Sequence, residues 1–215
     1  MLTDTFLLLF LATHDKLLAL GERVKGRSYA AHEFTRLIRR QFPATDFSFK
    51  TRRDSAVDPD MIVVAGMYDC YNDTQDLPSV EITLCYHPDQ KWYFTDLIDW
   101  ESLAFDLAEC VCHELIHRQQ FRSKQKFKPY ESKSTDLHLQ SEQEYLGDGS
   151  ELDAYGFSIA AESIVRGCPF QDCVMYGVYK STFDNDPTVI VKLEKEITKY
   201  LKLLELNNEQ NESKS

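Results

Sequence analysis

The sequence predicts an α+β fold: a small mixed or antiparallel sheet packed on one long helix, with further helices at the N- and C-terminal ends. Three observations predict it. Strand signals are confined to residues 47–86, helical periodicity recurs on both sides of them, and an H-E-x-x-H run sits late in the helix that follows the strands.

Residues 3–20 read as the first helix, because Leu7, Leu8, Leu11, Leu17 and Leu18 recur mostly at helical spacing. Its apolar run, Phe6 to Ala12, has no Lys or Arg before it and is far shorter than the ~20 residues of a membrane span. It therefore reads as the buried stripe of a first helix, with export as the open alternative, and no membrane partner is expected. Gly21 and Gly26 punctuate. A second helix, Ser28 to Gln41, turns Phe34, Leu37 and Ile38 inward and Arg36, Arg39 and Arg40 mostly outward, until Pro43 ends it. Met61-Ile62-Val63-Val64-Ala65 is a short apolar strand, and Val80 to Tyr86 alternates with period two. Tyr71-Asn72-Asp73, Leu77-Pro78-Ser79 and His87-Pro88-Asp89 carry turn chemistry around them.

Asp96 or Asp99 is placed to cap the next helix, which runs to about Gln120 with Trp100, Leu103, Ala104, Leu107 and Val111 as its core-facing stripe; Leu115 continues the stripe and Ile116 borders it. Arg122 to Ser150 is polar, basic at first and acidic at its end, and reads as a lid or a solvated excursion. Ser150 then caps a buried helix from Glu151 through Ala161, which Gly167 and Pro169 end. A last helix, Pro187 to Leu206, sets Val191, Leu193, Ile197, Leu201 and Leu204 on one side. Residues 207–215 lack apolar side chains and are expected to be disordered, leaving residues 1–206 as a single domain.

Composition narrows the function. A net charge of -11 argues against a nucleic-acid partner, which would need clustered positive charge. The 6 cysteines include no C-x-x-C, and at this length a disulfide scaffold is not needed, so reduced thiols in a cytoplasmic setting are expected. Cys168 and Cys173 read as a second metal clip or as two small core residues.

The chemistry is concentrated in His113-Glu114-Leu115-Ile116-His117. Residues four apart share a helix face, so both imidazoles can grip one Zn²⁺ while Glu114 takes a proton from a metal-bound water. A catalytic zinc needs a third protein ligand. Glu151 is the first candidate, because an acid inside a stretch rich in Leu, Ala, Tyr, Phe and Ile wants a partner. His138 is the rival, Asp148 and Asp153 are weaker ones, and His14, His32 and His87 have no partner pattern. Tyr155, Tyr145 and His138 are candidate donors to an oxyanion, Tyr155 first because its helix also carries Glu151; Asp153 is a candidate acidic partner for the histidines.

His113 to His117 followed by Glu151-Leu152-Asp153-Ala154-Tyr155 resembles the gluzincin branch of the zincin metallopeptidases, and Glu151, Ala154 and Phe157 are similar to the E-x-x-A-x-x-F piece of the ImmA/IrrE type. Ile116 stands where that type has Gly, and Tyr155 where the thermolysin type has Asp. The resemblance implies a zincin-like fold and a zinc-dependent peptidase acting on proteins or peptides. His113, His117 and Glu151 would hold Zn²⁺, with Glu114 as general base and Tyr155 as oxyanion donor. A zinc-containing binding or structural module is the alternative. So is an SprT-like protease of DNA-bound proteins, whose third ligand would be His138.

Overall fold

The computed structural model describes residues 2–123 and 143–212. Its elements are mixed α and β, with long helices at both ends and small sheets between, as expected. The basic stretch from Lys124 to Lys128, most of the candidate lid, and His138 lie outside the described residues. No helix among the described residues is long and apolar enough to cross a membrane. The chain divides into two compact units, Leu8–Arg118 and Met1–Leu7 with Gln119–Ser215.

The first unit contains most of α1 (Leu2–Val24), then β1 (Ser28–Ala30), α2 (Ala31–Arg39), β2 (Phe47–Arg53), β3 (Ile62–Tyr68), α3 (Cys70–Thr74), β4 (Val80–Tyr86), β5 (Trp92–Phe94) and α4 (Trp100–Arg122) as far as Arg118. Three strands form a mixed sheet in the order β2-β4-β3, with β4 parallel to β2 and antiparallel to β3. The central position of β4 explains its sequence. Val80, Ile82 and Leu84 bury one face, and Cys85 and Tyr86 are buried beside them, as a strand with neighbours on both sides allows. Among the described residues β2 and β3 are the edges. β1 and β5 form a separate antiparallel pair, with Tyr29 opposite Tyr93.

Two expectations change here. Ser28–Ala30 is a strand, and the second helix begins only at Ala31, because pairing with Trp92–Phe94 outweighs local helical preference. Along α1 the buried stripe is Leu7, Phe10, Leu17, Leu20 and Val24, while Leu8 and Leu11 are exposed. A leucine-rich run offers two overlapping stripes, and burial follows the one that contains Phe10, whose ring packs edge-on against Phe105 at 5.2 Å.

The second unit contains the last turn of α4, then α5 (Gly149–Arg166), a 3-10 turn (Phe170–Asp172), α6 (Val174–Thr182) and α7 (Pro187–Glu212). Asp148 caps α5, its Oδ1 accepting from the Ser150 backbone N–H at 2.8 Å, so the cap lies two residues before the expected Ser150. At the other end Gly167 adopts φ 61°, the left-handed conformation that a terminating glycine supplies. Gly156 lets α7 approach closely: a Cβ there would stand 2.6 Å from Glu196 Cβ. On α7 the buried face is Val189, Leu193, Ile197 and Leu204, whereas Val191 is exposed. α6 has no sequence signature, with two Val, two Tyr and one Gly among its residues. Tertiary bonds hold it: Tyr179 Oη donates to the Leu146 carbonyl at 3.0 Å, and Tyr176 Oη to Glu194 Oε1 at 2.6 Å. α7 continues past Leu206 to Glu212.

Candidate metal centre

The helix that carries the motif is fixed at its start. Asp99 accepts from the Ser102 backbone N–H at 3.1 Å and from its hydroxyl at 2.8 Å, which also holds the Asp99 carboxyl below the usual carboxylate range. From there the helix is buried around most of its circumference. Leu103, Ala104, Leu107, Ala108, Val111 and Cys112 are buried, and so are His113, Glu114, His117 and Gln120. Ile116 is buried and Leu115 only half-buried, the reverse of the expected order, because this helix has no single wet face.

His113 and His117 are 5% and 4% exposed, and their Nε2 atoms lie 3.1 Å apart with the rings at 81°. Tetrahedral zinc with Zn–N bonds of about 2.0–2.1 Å sets two imidazole nitrogens about 3.3 Å apart. The observed separation agrees with that chord. Glu151, 6% exposed, completes the group: one ligand atom each from His113, His117 and Glu151 lies within 4.8 Å of the others. Two imidazoles and a carboxylate are a donor set that a catalytic zinc accepts, and these residues could hold such an ion.

Glu114 faces β3. A Cβ on Gly66 would stand 2.7 Å from Glu114 Oε1 and 2.6 Å from Cys110 Sγ, so the strand backbone lies directly against the carboxylate. Burial, and then the negative charge of Glu114, push the Cys110 thiol well above its ordinary range. That thiol is therefore a protonated neighbour of the carboxylate.

Tyr155 is half-buried on α5, with its ring edge-on to Tyr179 at 5.6 Å. Burial raises the Tyr179 hydroxyl, with smaller contributions from Tyr155 and Glu151, and Tyr179 Oη is bonded to the Leu146 carbonyl. Tyr145 is half-buried just before the Asp148 cap. Asp153 accepts from Gln120 Nε2 at 3.0 Å, Lys199 Nζ at 2.7 Å and Tyr200 Oη at 2.9 Å. His32 is exposed, and His87 accepts from the Asp89 backbone N–H at 3.2 Å through Nδ1. His14 is buried, 3.2 Å from Glu101. Asp148 is occupied as a cap.

Gln120 and Gly66 are the residues that sequence reasoning missed. The one signal available was spacing: Gln120 follows His117 by one helical turn. No family model matches the chain, and no curated protein and no solved structure matches it either, so what the centre does has to follow from its own atoms.

Proposed function

We propose that the chain is a zinc-dependent peptidase of zincin-like fold, with His113, His117 and Glu151 as metal ligands and Glu114 as general base. The observation that carries this is the pair of buried Nε2 atoms 3.1 Å apart with Glu151 in the same buried group. Zinc, when bound, supplies a water of lowered pKa and a positive charge for the carbonyl oxygen. Glu114, next to His113 on the same helix, would accept the proton of the attacking water on a carboxylate oxygen and deliver it to the leaving amine. The Tyr155 hydroxyl is the proposed donor to the oxyanion. Proteins or peptides are the proposed substrates because the edge strand β3 runs along Glu114, and an extended main chain can pair with such an edge. The six free cysteines suit a reducing cytoplasm.

The test compares wild type with Glu114→Gln for zinc content and for cleavage of a broad peptide library. Glu114→Gln is expected to keep its zinc and lose at least about 10²-fold in turnover, the lower range for a general base. Normal cleavage by that variant would remove Glu114 from the mechanism. Zinc-loaded wild type that cleaves no peptide would favour a binding module.

A further inference from the structure

Gln120 sits on α4, one turn beyond His117, and is 7% exposed. Its Nε2 donates to the Ser150 carbonyl at 3.1 Å and to Asp153 Oδ2 at 3.0 Å. These acceptors flank Glu151 in the first turn of α5. Asp153 is held in turn by Lys199 and by Tyr200. The chemistry needed at position 120 is narrow. A primary amide has two N–H bonds on one nitrogen and can serve both acceptors; a glutamate there would oppose Asp153, and an aliphatic side chain would take one donor each from the half-buried Ser150 carbonyl and Asp153 carboxylate.

We propose that Gln120 is a positioning residue for the metal centre. It fixes the turn that carries Glu151 in register with the helix that carries both histidines, so that the third ligand is already placed when a metal arrives. The proposal rests on the metal assignment above. Its physical basis is preorganisation: a carboxylate on a turn pinned on both sides loses less freedom on coordination than one on a loose turn.

The experiment measures zinc affinity of the full chain by competition with a chromogenic chelator, and the melting temperature of the metal-free protein, for wild type, Gln120→Met, Asp153→Leu and the double variant, with Glu151→Ala as the reference for a lost ligand. Gln120→Met keeps the volume and removes both bonds. It is expected to weaken zinc about 10- to 100-fold, as loss of a partner outside the ligand set does, with little change in metal-free melting. The double variant is expected to lose less zinc affinity than the product of the two single losses, since the Gln120–Asp153 bond is common to both and only the bond to the Ser150 carbonyl is separate. Should Gln120→Met also lower metal-free melting, that comparison still decides: losses in zinc affinity that multiply overturn the proposal. Wild-type zinc affinity in Gln120→Met overturns it alone, leaving the metal assignment intact. A wild type that takes up no zinc overturns both.

Discussion

Asp153 shows how sharply one helical position can separate two roles. It lies two residues from Glu151, and two residues on a helix turn the side chain by about 200°. The two carboxylates therefore cannot serve one centre, and Asp153 instead collects Gln120, Lys199 and Tyr200. The expectation that it would back a histidine failed for that geometric reason. Burial works to raise the Asp153 carboxyl, but the hydrogen bonds from Lys199 and Gln120 outweigh it and hold it below its ordinary range. Burial likewise works against the charge on Lys199, and the bonds to Asp153 and Glu196 outweigh it and raise that amine. The signs give a window. The Asp153 contribution is complete above the ordinary Asp value of about 3.9 and is lost as pH falls below it; the Lys199 contribution is complete below about 10.4 and is lost as pH rises past it. Asp153→Asn is expected to flatten the acid limb of a stability-against-pH curve followed by denaturant melts. An unchanged acid limb would show that the carboxylate is not linked to folding. Glu151 was legible in the sequence because an acid among Leu, Ala and Phe stands out. Gln120 was not, because a neutral amide near a helix end resembles any solvated residue.

At the level of elements, the motif helix and strand β4 were legible because their apolar spacing is long and regular. What escaped notice was set by distant partners. β1 exists because Trp92–Phe94 is there to pair with it, and α6 because Tyr176 and Tyr179 find acceptors on other elements. The close approach of β3 to the motif helix was equally hidden, since Gly66 is merely a glycine in an apolar run until the strand is laid against Glu114. That approach makes a prediction. An alanine methyl at position 66 would meet Glu114 Oε1 at 2.7 Å and Cys110 Sγ at 2.6 Å, well inside ordinary contact. The Glu114 carboxylate is the movable party and must give way by nearly an ångström. Gly66→Ala is expected to retain zinc but lose about 10²-fold in kcat, the scale on which such a misplacement acts. Metal analysis with steady-state kinetics checks it. Wild-type kcat would mean that Glu114 tolerates displacement and does not act as the base.

At the scale of the whole molecule, the proposed ligands come from distant parts of the sequence, so a bound metal should stabilise the folded chain against the unfolded one. Zinc at 100 times its dissociation constant adds about 2.7 kcal/mol, and for a chain of this size each kcal/mol moves Tm by about 2–4 °C. Chelation is expected to lower Tm by about 5–10 °C in wild type and to have no effect in His113→Ala, as differential scanning calorimetry would read. Equal responses in the two would place the stabilising metal elsewhere. The same helix holds a built-in indicator of its own opening. Cys110 and Cys112 lie on either side of Val111, just before the proposed ligand His113, and burial pushes both thiols far above neutrality. Alkylating reagents at neutral pH can reach the fully buried Cys112 sulfur only during excursions that expose the helix, so its labelling rate counts those excursions, and metal that tightens the centre would slow the count.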